Sequence, residues 1–312
     1  MTNQAESTVR RALLLVNPDS RHGAGADLDR GMDSLRAAGM EVELLESSGA
    51  GAARQAIRDR REHLDLVILA GGDGTISSVA GTLLDCELPF AILPLGTAND
   101  LARSLGIEAD LPRAFELIRA GHRERIDLAE VNGHYFFNAA NLGLGTKVTE
   151  ELEDEAKARL GVFAYLKAVI AALTRAEQFR VEAELDGECH RFRSIQVAVG
   201  NGRFYGGGNV VEREARINDG RLSLYSLRPQ RLWELLSLAP LLRHGEHRLA
   251  RRVFNAAGRE ILIRTRPTGM AVHADGEPVT ETPAMFKVIP AALEAIVPAG
   301  ARVLQDRESR QS

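Results

Sequence analysis

Residues 66–75 read Leu-Val-Ile-Leu-Ala-Gly-Gly-Asp-Gly-Thr, an apolar run that ends in three glycines around one aspartate. The apolar part predicts a strand that is buried on both faces, as in a parallel sheet. The glycines let the backbone adopt positive φ and approach a ligand with no Cβ in the way. A helical pattern follows directly, and the start of a helix favours an anion. The stretch therefore predicts a phosphate-binding turn beside one carboxylate. The alternative is a plain strand-to-helix turn with Asp73 as the helix N-cap.

The sequence around this turn repeats the same strand–helix pattern. Strands are predicted at 12–16, 42–45, 64–70 and 90–93, and helices at 28–38, 52–61 and 76–84. Such alternation with short connections predicts a doubly wound α/β domain with a mainly parallel sheet. Ligands bind these sheets at the carboxyl ends of the strands. The loops at 17–20, 71–75 and 94–100 are therefore expected to line one crevice.

The loop after the fourth strand reads Pro-Leu-Gly-Thr-Ala-Asn-Asp over residues 94–100. Gly96 offers backbone access, while Thr97 and Asn99 supply small hydrogen-bonding groups. An ordinary Asn/Asp helix cap is an equally good interpretation of this loop alone. The chain has no GxxxxGK[ST], and no GxGxxG follows a predicted strand. It is therefore not a Walker-type P-loop protein, and a dinucleotide oxidoreductase is disfavoured.

The pattern changes near residue 125. Further strands are predicted at 126–131, 135–140, 179–185, 191–199, 221–226, 260–264, 270–274 and 284–290, with one long helix at 150–178. Short strands separated by Gly-rich turns predict a mostly antiparallel β-sandwich. The expected division is a nucleotide-binding α/β domain at 1–125 and a β-rich domain at 126–312.

Several polar turns in the second half are candidate sites. Asp219, in an Asn-Asp-Gly turn, holds a hard cation with nearby carbonyl oxygens or simply forms the turn. Asp275 and Glu277 flank a glycine, where paired carboxylates suit magnesium binding or proton removal from an alcohol; a solvated hairpin tip is the alternative. The glycine-rich stretch 201–208 is either a flexible loop or a close approach to substrate. Residues 231–253 mix leucines and arginines, which fits a helix in a membrane interface or one packed on the β domain.

The composition sets limits on function. With 312 residues, 45% of them hydrophobic, the chain is long enough for two ordinary globular domains. A net charge of -4 does not support nucleic-acid binding. Cys86 and Cys189 form no CxxC pair, which fits a reducing cytoplasm. No apolar run reaches the roughly 18 residues that span a bilayer, so any membrane contact is expected to be peripheral.

Taken together, these motifs identify a resemblance. The chain resembles the bacterial diacylglycerol-kinase-type lipid kinases, whose catalytic domain is shared with sphingosine and ceramide kinases. The matching motifs are Asn17-Pro18, Gly71 to Thr75, Pro94 to Gly106, Ile126-Asp127, Phe137-Asn138, Gly200-Asn201-Gly202, Gly206 to Gly208, Asn218-Asp219-Gly220 and Asp275 to Pro278. The Gly-Gly-Asp-Gly-Thr motif alone is shared with NAD kinases and, loosely, phosphofructokinases, whereas the combination is much more specific.

The resemblance implies MgATP-dependent phosphorylation of a lipid hydroxyl, by an NAD-kinase/phosphofructokinase-like α/β domain joined to a β-sandwich. Residues implied to bind ATP are Asn17, Ser47, Gly72, Asp73, Gly74, Thr75, Thr97 and Asn99. Glu277 or Asp275 is implied as the base, and Asp73 would organise metal and phosphates. The Mg²⁺ site carries over onto Asp219 with the backbone oxygens of Arg216 and Arg221. The implied location is the cytoplasm, peripheral to the inner face of the membrane, and a homodimer is left open.

The chain departs from the family pattern at two places. Ser77 and Ser78 stand where the family commonly has Asn-Glu, and Ser47 or Ser48 stands near a usual threonine. Two alternatives stay open. One is an NAD-kinase-like small-molecule kinase, which shares the glycine turn. The other, motivated by Ser77 and Ser78, is a nucleotide- and lipid-binding regulator without turnover.

Overall fold

A computed structural model of the chain describes residues 10–17, 25–47, 49–143, 177–202, 204–205, 209–210, 215–227 and 253–301. These fall into two compact units. The first unit comprises residues 10–126 and 292–301, and the second comprises residues 127–291. Nearly all of the helix predicted at 150–178 and of the stretch 231–253 lies outside the described residues, as do Ser48 and the glycine triplet 206–208.

The described helices are α1 Gly25–Ala37, α2 Ala50–Arg60, α3 Asp73–Ser77, α4 Ala80–Cys86, α5 Asp100–Ser104 and α6 Leu111–Ala120. The first strands are β1 Arg10–Val16, β2 Met40–Glu46, β3 Leu66–Gly71, β4 Phe90–Pro94, β5 Arg123–Val131, β6 His134–Phe136, β7 Ala139–Gly143, β8 Phe179–Leu185 and β9 Glu188–Ser194. The remaining strands are β10 Gln196–Gly200, β11 Phe204–Tyr205, β12 Asn209–Val210, β13 Leu222–Leu227, β14 Val253–Gly258, β15 Glu260–Arg266, β16 Ala271–Ala274, β17 Glu277–Glu281 and β18 Ala284–Ile296. None of the described helices is long and apolar enough to cross a membrane.

The first unit is built on a parallel sheet with the strand order β2-β1-β3-β4. All six residues of β3 are buried, as the continuous apolar run predicts for a strand covered on both faces. On one face, Leu28, Met32 and Phe115 from α1 and α6 join the core with Leu14 and Ile68. The predicted doubly wound α/β domain is confirmed.

The helix predicted at 76–84 is wrong in its extent, because two short helices occupy this region. α3 begins at Asp73 and ends at Ser77, and α4 begins at Ala80. The Ser78 hydroxyl donates to the Thr75 carbonyl oxygen at 2.7 Å. Such a side-chain bond competes with the helical backbone ladder. The interruption lies at the point where the sequence departs from the family that it resembles.

The second unit contains two antiparallel sheets. One has the order β14-β13-β10-β7-β16-β17, and in the other β18, β15, β8 and β9 lie side by side. Their facing sides share one apolar core that includes Phe136, Leu142, Val181, Val199 and Phe286. The predicted β-sandwich is confirmed.

Three hairpins of this unit turn at the Asn-Gly or Asp-Gly pairs that the sequence offers. The turns are Asn132-Gly133 (φ 46° and 86°), Asp186-Gly187 (48° and 93°) and Asp275-Gly276 (47° and 94°). Two successive positive φ values are the signature of a type I′ turn, whose twist matches that of the flanking strands. These turns were predictable because the required residue types stand in the required order.

Three predicted strands of this unit differ from the structure. The strand expected at 135–140 is broken at Phe137 and Asn138, between β6 and β7. The strand expected at 191–199 is divided between β9 and β10, which lie in different sheets. β18 does not end at Pro290 but continues to Ile296. Just after that proline, Ala291 has φ 52° and its N–H donates to Asp127 Oδ1 at 2.7 Å.

Gly31→Ala is expected to lower the free energy of unfolding by about 1–3 kcal/mol, because inserted atoms force a packed core to shift. A Cβ on Gly31 would lie 2.1 Å from the Phe115 ring, which is itself buried. Gly51→Ala in α2 is the matched control, since its Cβ would meet nothing within 4 Å. Urea denaturation of both variants tests this, and equal stability of the two would contradict it.

Candidate active site

The carboxyl ends of the parallel strands in the first unit bring together residues that are far apart in the sequence. Ser47 follows β2 and its N–H donates to the Val16 carbonyl oxygen at 3.0 Å. Asn17 follows β1 and donates to Ala70 O at 3.3 Å. The chain runs from β1 outward to β2 on one side and then to β3 on the other. This reversal opens a crevice between the ends of β1 and β3.

Two glycine loops touch each other at this edge of the sheet. A Cβ on Gly96 would lie 2.5 Å from the Gly72 Cα, and a Cβ on Gly72 would lie 3.2 Å from the Gly96 Cα. Side chains at these two positions would therefore push the loops apart. A Cβ on Gly74, in contrast, would meet nothing within 4 Å. The absence of a side chain at Gly74 is thus not required by protein packing, and its surface is open to a ligand.

Asp73 joins the two loops by hydrogen bonds. Its carboxylate oxygens accept the backbone N–H of Asp100 at 3.1 Å and of Leu101 at 3.0 Å. These are first-turn donors of α5, which have no partner inside their own helix. Asp73 therefore caps a helix, as one interpretation of the sequence predicts. The capped helix is α5, however, and not α3, which begins at Asp73 and has Gly72 as its N-cap.

The predicted nucleotide residues Thr75, Thr97 and Asn99 differ in their surroundings. Asn99 has φ 50°, and its carboxamide accepts from Gly96 N–H at 3.0 Å and donates to Gly96 O at 2.7 Å. Its side chain therefore shapes the loop. The Thr75 side chain packs against Gly71, where an added Cβ would lie 2.8 Å from it. Thr97 is exposed at the loop surface.

In the second unit, Asp275 is held by three backbone donors. Its carboxylate accepts the N–H groups of Phe137 at 2.8 Å, Asn138 at 2.9 Å and Ala139 at 3.2 Å. Several N–H donors on one carboxylate stabilise its charged form. This explains why the predicted strand at 135–140 is broken, because its backbone N–H groups turn to Asp275. Glu277, two residues along, has an exposed side chain.

Asn201 lies beside the same segment and is buried. Its Nδ2 donates to the carbonyl oxygens of Asp127 and Phe137, both at 3.1 Å. Its Oδ1 is buried with no hydrogen-bond partner in the part of the chain that the structure describes. Such an atom is a potential acceptor for a hydroxyl group or a water molecule. The sequence identifies Asn201 only as part of a motif, because no local signal reveals this geometry.

The Asp219 turn is built by two carboxylates. Asp219 accepts the N–H of Arg216 at 3.1 Å and of Arg221 at 2.9 Å. The fully buried Asp127 accepts the N–H of Gly220 at 2.5 Å.

No group of three or more His, Cys, Asp or Glu side chains that could hold a metal occurs among the described residues. A cation here would have to rely on Asp219, carbonyl oxygens and water. Magnesium commonly binds proteins through one or two carboxylates and keeps several waters, so the donor set fits it.

Two family models match consecutive parts of the chain. Residues 11–131 match the family model described as "Diacylglycerol kinase catalytic domain". Residues 139–297 match the model described as "YegS C-terminal NAD kinase beta sandwich-like domain".

Curated relatives match along almost the whole chain. A Klebsiella pneumoniae (strain 342) protein named "Probable lipid kinase YegS-like" is 33% identical over 302 residues, covering 94% of this chain and 97% of the relative. The Escherichia coli (strain K12 / DH10B) protein named "Probable lipid kinase YegS" is 34% identical over 273 residues, covering 85% and 89%. A crystal structure of a diacylglycerol kinase from Bacillus anthracis str. Sterne is similar with a TM-score of 0.79 and 27% identity, covering 94% of this chain and 99% of that one.

Asp275→Asn is expected to lower the free energy of unfolding by about 1–3 kcal/mol, because an amide replaces one acceptor oxygen with a donor that faces N–H groups. Asp85→Asn removes the same charge from an exposed position of α4 and is expected to stay within about 0.5 kcal/mol of the parent. Thermal unfolding measures both. A parent-like stability of Asp275→Asn would contradict its assignment as a backbone clamp.

Proposed function

Because the chain belongs to the diacylglycerol kinase catalytic domain family of lipid kinases, we propose that it transfers the γ-phosphate of ATP to a hydroxyl group of a diacylglycerol-like or related membrane lipid. The product is a phospholipid, and the reaction depends on Mg²⁺. The protein acts in the cytoplasm at the inner face of the membrane, as a peripheral enzyme that works alone or as a homodimer.

The observation that carries this proposal is the pair of glycine loops at the carboxyl edge of the parallel sheet. Gly72 and Gly96 approach so closely that their loops form one continuous backbone surface. Gly74 leaves space beside that surface. Phosphoryl transfer depends mainly on positioning and on charge stabilisation, which a rigid surface of backbone donors provides. Asn17, Ser47, Thr75 and Thr97 border this surface in the proposed ATP site.

Asp73 acts in this proposal as a positioning residue. Its two carboxylate oxygens hold the start of α5, so the carboxylate fixes the second glycine loop relative to the first. This support extends the role first expected for Asp73, which was to organise metal and phosphates. Asn99 assists by closing the loop on Gly96.

Glu277 is the proposed base that accepts the proton of the lipid hydroxyl. The Asp275 carboxylate already accepts three backbone N–H bonds, so its oxygens are engaged with the backbone of residues 137–139. Glu277 is exposed on the same turn and can reach a substrate. Asp275 is then the residue that positions the turn.

Mg²⁺ would be held by the Asp219 carboxylate with the carbonyl oxygens of Arg216 and Arg221, where it would neutralise phosphate charge. The Asp219 oxygens accept the N–H groups of Arg216 and Arg221, which fixes the carboxylate within the turn. Asp127 holds the turn in shape from beneath through Gly220.

The decisive experiment is transfer of radiolabelled phosphate from ATP to a total lipid extract, followed by identification of the labelled product. A labelled phospholipid supports the proposal. If NAD is labelled in a parallel reaction and lipid is not, the NAD-kinase alternative is supported. ATP binding without transfer to any acceptor would support the regulator that Ser77 and Ser78 suggest.

Gly74→Ala is expected to weaken ATP binding about tenfold, a loss of roughly 1.4 kcal/mol, because its methyl group enters the space left for phosphates. Stability should not fall, since alanine favours a helix more than glycine does and the added Cβ meets no neighbour. Gly51→Ala, with equal space in α2, is the control that should leave ATP affinity unchanged. Calorimetric titration with ATP measures both, and parent-like binding of Gly74→Ala would remove Gly74 from the site.

Glu277→Gln is expected to lower kcat for lipid phosphorylation by about 10²–10⁴-fold, as loss of a general base does, with the melting temperature retained. Glu281→Gln changes another exposed glutamate of β17 and should keep the parent rate. If Glu277→Gln also keeps the parent rate, the base lies elsewhere.

A further inference from the structure

The outer face of β8, β9 and β15 carries a row of arginines. Arg193 in β9 lies opposite Arg180 in β8, and Arg180 lies opposite Arg266 in β15. All three side chains are exposed. Neighbouring strands lie about 4.8 Å apart, so the arginine row, Arg180 with Arg193 and Arg266, spans about 10 Å.

In the next cross-strand row of this face, arginines are paired with glutamates. Arg191 pairs with Glu182 at 2.7 Å, and Arg264 lies 3.7 Å from both Glu182 and Glu184. The Arg191 side chain holds the pKa of Glu182 below its usual value, and Arg264 and Arg266 add to this effect. The arginine row itself, in contrast, forms no ion pair within the described parts of the chain.

Stability does not explain the arginine row. Like charges placed directly opposite each other on neighbouring strands are destabilising, and this row has two such pairs in succession. The overall charge of the chain is -4, so a generally basic composition does not explain the row. A feature that costs stability and concentrates positive charge is best explained by an anionic partner.

The shape of the surface indicates the kind of partner. An open groove of about 550 Å³ runs along this face, lined by five arginines and one glutamate among its residues. A smaller groove of about 200 Å³ adjoins Gln178 and includes all three residues of the arginine row. A second copy of this chain would bring arginine against arginine. A nucleic acid needs a longer basic track than 10 Å. Phosphate groups of lipids, presented side by side on a flat surface, fit both the charge and the span.

We propose that the arginine row is a docking surface for the phosphate groups of anionic lipids in a membrane. Each cation near such a surface contributes favourably to binding, by about fivefold in affinity, and the attraction falls off within a Debye length. The choice of a bilayer as the source of phosphate rests on the proposed function. The requirement for an anionic partner rests on the arginine row alone.

Sedimentation with vesicles tests this surface. The full chain is mixed with phosphatidylcholine vesicles or with vesicles of phosphatidylcholine and phosphatidylglycerol, at low and high salt. The double variant Arg180→Gln/Arg266→Gln is compared with Arg54→Gln/Arg58→Gln, which removes two exposed arginines from α2. We expect the parent to bind only the anionic vesicles at low salt. The row variant should lose at least about tenfold in affinity, while the α2 variant should bind like the parent.

Three results would overturn the proposal. The first is that the parent does not bind anionic vesicles, and the second is that the row variant binds them like the parent. The third is that inorganic phosphate abolishes vesicle binding when chloride at the same ionic strength does not. The last would assign the row to a soluble anion. Thermal melts establish that the row variant is folded, and relief of like-charge repulsion should leave its melting temperature equal or higher.

A second measurement separates this proposal from the proposed function. Phosphate transfer to lipid dispersed in neutral detergent micelles needs no anionic surface. If the parent does not phosphorylate lipid in micelles, the kinase proposal is refuted. Vesicle sedimentation alone decides whether the arginine row docks on membranes.

Discussion

Aspartate carboxylates that accept backbone N–H groups hold the described structure together at its critical turns. Asp73 binds the start of α5, and Asp275 binds three successive N–H groups between β6 and β7. Asp127 binds Gly220 and Ala291, and Asp186 binds Arg259 and Glu260. A charged acceptor makes these bonds stronger than neutral ones. Each of them fixes a turn, the start of a helix or an irregular point of a strand.

This use of carboxylates changes how the motifs are understood. Asp73 and Asp275 stand in the most recognisable motifs of the sequence, and both have their oxygens directed at the protein's own backbone. Their importance for the site is that loops and turns are held still before any ligand arrives. Preorganised donors need no rearrangement at the moment of reaction. In the proposed mechanism, the residues that contact ATP or the lipid are their neighbours Gly74, Thr97 and Glu277.

The local features of the fold were predictable from the sequence. β3 follows from its apolar run, and three hairpins follow from Asn-Gly or Asp-Gly pairs. The nonlocal features were not predictable. The bonds from Phe137 and Asn138 to Asp275 join residues more than 130 positions apart, so the broken strand has no signal nearby. The arginine row requires the register of three strands, since Arg180, Arg193 and Arg266 form no motif along the chain.

The path of the chain through the two units has a consequence for biosynthesis. The first unit is not complete at residue 126, because Ala295 of β18 pairs with Phe90 of β4 and Val297 N–H donates to His122 O at 3.0 Å. All of residues 127–291 are therefore synthesised before the parallel sheet receives its last strand. On a ribosome, where chains fold as they emerge, this edge of β4 stays unpaired until residues 292–297 have been synthesised. A truncation before residue 292 would thus damage the unit that residues 10–126 begin.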